Sequence, residues 1–247
     1  MVESALGFFD RVYIINLKSR ADRREEMADQ LARIGLSFNS PNVQLWEASR
    51  PAEAAGFTSV GTHGCFMSHL RVLRDARDRG LKSVLILEDD FNFSPDFLTL
   101  MPQVQRQLSR SVWSMFYGSY TLYGEPPALS EGACAQVEPR VALGTTACVA
   151  VHGLWLQPLI DYLEAMLRRP AGDPAGGPMH VDGAYCWFRA HHPSADTFIA
   201  NQPLGYQRSS QTDVHVLPWF DRVQPVASVV ALLRKLRNRM RRQLRYR

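Results

Sequence analysis

The sequence predicts an α/β fold, a mostly parallel sheet flanked by helices, and three observations carry that prediction. Apolar runs of strand character alternate with segments whose apolar residues recur at helical spacing, the pattern of a layered α/β domain. One run, Val84-Leu85-Ile86-Leu87, has four consecutive apolar residues, as expected of a strand covered on both faces in a parallel sheet. It leads directly into Glu88-Asp89-Asp90, three carboxylates at the carboxyl end of an interior strand, where open α/β sheets bind their ligands.

Taken in order, residues 11–17 (Arg-Val-Tyr-Ile-Ile-Asn-Leu) are β-branched and aromatic and predict the first strand. Ser19 precedes a helical segment with Met27, Leu31 and Ile34 on one face, closed by Gly35. Thr62 is placed to cap a second helix, with Phe66, Leu70 and Leu73 on one side and Gly80 beyond its end, feeding the strand at 84–87. Further strands are expected at 112–117 and 146–151. A helix then opens near Pro158, where proline suits a first turn, and carries Leu159, Leu163 and Met166. Residues 169–178, rich in Pro and Gly, predict a loop.

A chain of 247 residues with 46% hydrophobic content can bury a substantial core, and one globular domain is expected over 1–221 with a tail at 222–247. The net charge of +4 conceals a segregation: residues 234–247 hold eight Lys/Arg and no acid, leaving 20 basic against 24 acidic residues upstream. In the tail, Val226, Val229, Val230, Leu233, Leu236, Met240 and Leu244 recur at helical spacing among those basic residues. This predicts a basic amphipathic helix for an anionic membrane surface, the alternative being a helix packed on the body or on another subunit. The acidic body and the lack of a recognition motif argue against nucleic acid. Cys65, Cys134, Cys148 and Cys186 show no C-x-x-C or Cys/His ligand spacing, so reduced thiols are expected rather than a zinc cluster or a disulfide framework. No apolar run approaches a bilayer span and Met1 to Asp10 lacks a secretory signature, which places the expected body in the cytoplasm.

Three adjacent acids repel one another unless a cation, an arginine or a hydrogen-bond donor sits among them. Hard oxygen ligands suit Mg²⁺ or Mn²⁺, which can bridge to a diphosphate; a solvated acidic turn is the plain alternative. Asn16 to Arg24 leaves the first strand and opens a helix, offering backbone donors and the guanidinium groups of Arg20 and Arg23 at the sheet's binding edge, unless these only form a solvated, ion-paired face. Gly61 to His69 brings small residues, among them Gly64, to a helix start. Ser68 and His69 are adjacent and so do not face each other on a helix, which disfavours a hydrolase, and His69 alone reads as a hydrogen-bonded structural histidine.

Three motifs together, Ile14-Ile15-Asn16-Leu17 with Arg20 and Arg23, G-x-x-G-C-x-x-S-H over Gly61 to His69, and Leu87-Glu88-Asp89-Asp90, give the chain a resemblance to glycosyltransferase family 25, the lipopolysaccharide galactosyltransferases related to collagen galactosyltransferases. The likeness is looser downstream, at Gly144-Thr145-Thr146-Ala147, His180-Val181-Asp182 and Gln202-Pro203-Leu204 with Gln207, Ser209 and Ser210; Ser210-Gln211-Thr212-Asp213 departs from the expected Ser followed by an acid. The resemblance implies a Rossmann-like GT-A fold binding a UDP-sugar, usually UDP-galactose, a divalent metal (Mn²⁺ or Mg²⁺), and inversion at the anomeric carbon. It implies donor contacts from Asn16, Leu17, Arg20, Arg23, Gly64, His69, Glu88, Asp89 and Gln207. Asp90 is the expected metal ligand, with His215 or Asp213 completing the shell. Asp182 is the expected general base, a helix N-cap being its bland alternative. The acceptor would be a saccharide or lipid-linked saccharide, met on the cytoplasmic face of the inner membrane. Two rivals remain: an inactive membrane-surface scaffold of the same fold, disfavoured by the intact acidic triplet, and a metal-dependent nucleotidyltransferase, disfavoured by the lack of glycine in Asn16 to Arg20.

Overall fold

The computed structural model describes residues 5–124 and 132–208. The tail at 222–247, its boundary at 221, and His215, Asp213, Ser209 and Ser210 lie outside the described residues. In chain order the elements are β1 (Arg11–Asn16), α1 (Ala21–Arg33), β2 (Val43–Glu47), α2 (Val60–Asp78), β3 (Ser83–Glu88), β4 (Phe91–Phe93), α3 (Phe97–Leu108), β5 (Met115–Tyr117) and β6 (Thr121–Tyr123). They continue with β7 (Cys134–Val137), β8 (Ala142–Gly144), β9 (Cys148–His152), a 3-10 turn at Gly153–Trp155, α4 (Leu156–Leu167), α5 (Val181–His191), β10 (Thr197–Ala200) and β11 (Gly205–Gln207).

Side-chain alternation in the strands sets the layering. Tyr13 and Ile15 of β1, with Val84 and Ile86 of β3, pack into one apolar cluster with α2, α4 and α5; Val12, Ile14, Leu85 and Leu87 enter a second cluster with α1 and α3. Both faces are therefore dry, which is why these strands read as unbroken apolar runs. The seven-stranded sheet has the order β2-β1-β3-β9-β5-β10-β7. The pairings β1/β2, β1/β3 and β5/β10 are parallel, while β3/β9, β5/β9 and β7/β10 are antiparallel, so five strands point one way and only β9 and β7 are reversed. This is the layered, Rossmann-like α/β arrangement that the sequence predicts.

Several details differ from expectation. Ser59, not Thr62, caps α2: its backbone is extended and its Oγ accepts the Thr62 N–H at 3.0 Å, so the helix starts at Val60. The strand expected at 112–117 is reduced to β5, with Val112 exposed, and the one at 146–151 becomes β9. The helix α3, with Pro102 inside it, falls where no element was expected; its buried face is Phe97, Met101, Val104 and Leu108. Pro158 does lie in the first turn of α4, and Gly35 and Gly80 adopt the left-handed backbone (φ 73° and 65°) that ends α1 and α2. No described helix is long and apolar enough to cross a membrane.

Candidate functional site

Parallel pairing of β1 with β3 places Ile15 level with Glu88, so the chain leaving each strand meets the other at one edge. The Asp89 N–H donates to the Ile15 carbonyl at 3.1 Å, and Asn16 Nδ2 donates to Asp89 Oδ2 at 2.7 Å. From the first turn of α1, Arg23 Nη1 donates to Asp89 Oδ1 at 2.9 Å and lies 3.6 Å from Asp90 Oδ2. Both oxygens of Asp89 are thus engaged. Asn16 is itself fixed, its Oδ1 accepting from Arg24 at 2.9 Å.

Glu88 is held by one group from each half of the chain: Thr146 Oγ1 donates to its Oε1 at 2.6 Å, and His69 Nε2 approaches the same oxygen to 3.5 Å. Asp90 is different. Its Oδ2 accepts a long bond from Gln207 Nε2 (3.3 Å), while its buried Oδ1 has no hydrogen-bond partner among the described residues. Gln207 reaches it because β11 pairs with β4, setting Gln207 opposite Phe91; Gly205 permits this approach, since a Cβ there would meet the Asn92 carbonyl at 2.2 Å. The next residue, Arg208, clasps the backbone of the acidic turn: its N–H donates to the Asp90 carbonyl (2.7 Å) and its Nη2 to the Asp89 carbonyl (2.9 Å), while the guanidinium also meets Asn92 Oδ1 and Glu26.

The electrostatics follow from this inventory. Burial, then the neighbouring Glu88 charge, pushes Asp90 up to about 7 against the opposing pull of Arg23. Burial also raises Asp89, outweighing Arg23 and Asn16. Glu88 is held below its ordinary value: burial works against it, but the His69 and Thr146 contacts and Arg23 prevail. A guanidinium and several donors do sit among the three acids, yet they leave one Asp90 oxygen unsatisfied.

Beside the cluster, between the ends of β1 and β3 and the start of α2, lies a cavity of about 240 Å³ lined by Leu17, Arg23, Ser49, Arg50, Gly64, Cys65, His69, Glu88 and Asp89 among others. Of the residues expected to meet a donor, Leu17, Arg23, Gly64, His69, Glu88 and Asp89 line it, whereas Asn16 and Gln207 brace the acidic cluster. Arg20 pairs with Asp22 at 2.8 Å and is not among the lining residues. Gly64 has an internal reason to be small: a Cβ would come within 2.5 Å of the Ser49 carbonyl. Ser68 fastens the same wall, donating to the Gly64 carbonyl at 2.6 Å and accepting the Ser49 N–H at 2.8 Å, a structural role. His69 is fully buried, with Nδ1 3.0 Å from the Tyr185 hydroxyl.

Asp182 stands in the first turn of α5, which His180 caps. Its Oδ1 accepts the Gly183 N–H at 2.8 Å and its Oδ2 the Thr145 N–H at 3.3 Å. Thr145 has a left-handed backbone (φ 65°) and donates its hydroxyl to Gln207 Oε1 at 3.1 Å, so a polar path runs from Asp182 through Thr145 and Gln207 to Asp90. His215, the expected second metal ligand, lies outside the described residues.

Two features escaped sequence reasoning. Arg208, adjacent to the quoted Gln207, carried no motif. The cysteines do not all lack ligand spacing to histidine: Cys65 and His69, both inside α2, fall one helical turn apart, and one ligand atom from each of Cys65, His69 and Glu88 lies within 4.8 Å of the others.

With this geometry in place, comparison with known proteins gives a consistent result. The family model described as Glycosyltransferase family 25 (LPS biosynthesis protein) matches residues 9–121. Mouse procollagen galactosyltransferase 2 is 25% identical over 207 residues, covering 76% of this chain and 32% of that protein. Zebrafish (Danio rerio) procollagen galactosyltransferase 1 is 35% identical over 130 residues, 44% of this chain and 21% of that protein. The human protein named inactive glycosyltransferase 25 family member 3 is 28% identical over 132 residues, 46% of this chain and 22% of that protein. The chain therefore spans about a third or less of the length of these curated relatives.

Proposed function

We propose, from the match of residues 9–121 to the glycosyltransferase family 25 model, that the chain transfers a sugar, galactose from UDP-galactose, to a saccharide acceptor in lipopolysaccharide or a related surface glycan, with inversion at the anomeric carbon. One observation supports this reading above the others: Asp90, a buried carboxyl at the carboxyl end of β3, keeps Oδ1 without a partner beside a cavity that Arg23 and Asp89 line. Hard oxygen donors of this kind fit Mn²⁺ or Mg²⁺. The chemistry such an ion supplies, when bound at Asp90, is stabilisation of the charge that develops on the leaving nucleoside diphosphate.

The remaining steps fall to the chain's own groups. Asn16 and Arg23 fix Asp89 at the cavity wall, where it is placed to meet the donor ribose, and Arg23, which lines the cavity with Arg50, offers an incoming diphosphate a cation. Glu88, tied to Thr146 and His69, holds the turn in shape. Asp182 takes the proton of the acceptor hydroxyl, since inversion needs one base beside the acceptor. Its link to Asp90 through Thr145 and Gln207 would keep base and cluster in register. The basic tail is proposed to hold the protein at the cytoplasmic face of the inner membrane; vesicles of anionic lipid should sediment the full chain but not one truncated after Asp221, at low salt only.

A donor screen tests the proposal: release of UDP from a panel of UDP-sugars, with Mn²⁺ and with chelator. Preferential, metal-dependent release from UDP-galactose is expected. The existence of a relative named inactive favours the scaffold as second reading; it predicts no release from any donor.

A further inference from the structure

We propose that Cys65, His69 and Glu88 form a second cation site, made for a thiophilic divalent ion such as Zn²⁺ and distinct from the oxygen position at Asp90. The helix α2 sets Cys65 and His69 one turn apart on one face, and Glu88, the last residue of β3, closes the triangle. One ligand atom from each lies within 4.8 Å of the other two. With Zn–S near 2.3 Å and Zn–N and Zn–O near 2.0–2.2 Å, side-chain movements of about an ångström would bring all three to bonding distance.

His69 carries the argument beyond proximity. Its ring is fully buried, and among the described residues Nε2 makes no aligned hydrogen bond: it stands 3.5 Å from Glu88 Oε1, at ion-pair distance only. Its other nitrogen is 3.0 Å from the Tyr185 hydroxyl, which fixes the ring as outer partners fix metal-bound histidines. Glu88 is likewise oriented, by Thr146 at 2.6 Å. A purely structural histidine bridging Tyr185 and Glu88 would account for the carboxylate contact but gives Cys65 no part.

Sulfur, imidazole and carboxylate ligands together select borderline-soft ions over Mn²⁺ or Mg²⁺. A bound ion would face the cavity of about 240 Å³ with a fourth position open, the arrangement of reactive rather than closed zinc sites. Thiolate and carboxylate would balance its charge, the thiol proton passing to solvent on binding.

The test uses Co²⁺ as a spectroscopic stand-in for Zn²⁺ on the full chain, without nucleotide, so its outcome is independent of the transferase reading. One equivalent of Co²⁺ should give a near-ultraviolet thiolate-to-cobalt band that excess Zn²⁺ abolishes and Mn²⁺ does not. Cys65→Ser should remove the band and weaken Zn²⁺ binding at least about tenfold, as loss of a ligand demands, while Asp90→Asn keeps it. A measurement on the unaltered chain guards against a misfolded variant: Zn²⁺ should slow alkylation of Cys65, read by peptide mass, and leave the rates at Cys134, Cys148 and Cys186 unchanged. Absence of the band, an equal band in a folded Cys65→Ser chain, or unprotected Cys65 would overturn the proposal.

Discussion

The acidic cluster is gripped from two sides that are built differently. Residues 16–69 contribute Asn16, Arg23 and His69 from β1, α1 and α2, long regular elements whose apolar faces fix them in the two cores. Residues 145–208 contribute Thr145, Thr146, Gln207 and Arg208 from a left-handed turn, a strand margin and the three-residue β11. The first side satisfies Asp89 completely; the second leaves Asp90 half satisfied. The difference teaches that rigidity and reactivity are divided between adjacent residues: residues 16–69 fix Asp89 and wall the cavity, while the loop side leaves one oxygen of Asp90 open beside it.

The largest effect expected from breaking the loop side is chemical. Asp182→Asn should lower turnover by about 10²–10⁴-fold with UDP affinity retained, as for loss of a general base. A small loss of turnover with a clear drop in melting temperature would make Asp182 a tie between α5 and Thr145 instead. Arg208→Ala comes next. Its guanidinium is 8% exposed and meets Glu26, Asn92 and the Asp89 carbonyl, so truncation strands buried acceptors and should cost about 2–4 kcal/mol in urea unfolding.

A third test sharpens the contrast between the two aspartates. With Asp90 at about 7 in the folded chain against an ordinary 3.8, the native state keeps a proton that the unfolded chain releases between roughly pH 4 and 7. Stability of the metal-free chain should therefore fall as pH rises through that window. Asp90→Asn should stabilise the metal-free chain by roughly 1–3 kcal/mol at pH 8 and by little at pH 4, read by melting in chelator. The smallest effect belongs to Arg20→Ala on the helical side. Its partner Asp22 is exposed, so stability should change by less than about 0.5 kcal/mol, and any fall in UDP affinity by calorimetry then reports a direct donor contact.

The same division explains what could be read from sequence. β1, β3 and α2 are long and periodic, and the acids stand at the strand end that open sheets use for ligands, so half of the site was legible from residues 11–90. The other half depends on strands of three or four residues, β5, β10 and β11, whose patterns are too short to carry a period. Arg208 grips the acidic turn itself through the Asp89 and Asp90 carbonyl oxygens, which have no sequence signature. The Cys65/His69 pair carries no C-x-x-C or zinc-finger pattern, and its third member, Glu88, is brought beside it only by the packing of α2 on β3.

The account stands most directly on the unsatisfied oxygen of Asp90, and one measurement addresses it: UDP release from UDP-galactose by the full chain and by Asp90→Asn, each with Mn²⁺ and with chelator, alongside melting curves. The account predicts metal-dependent release by the unaltered chain, background release by the variant under both conditions, and a variant that melts no lower. A folded Asp90→Asn chain that keeps full metal-dependent turnover would contradict it.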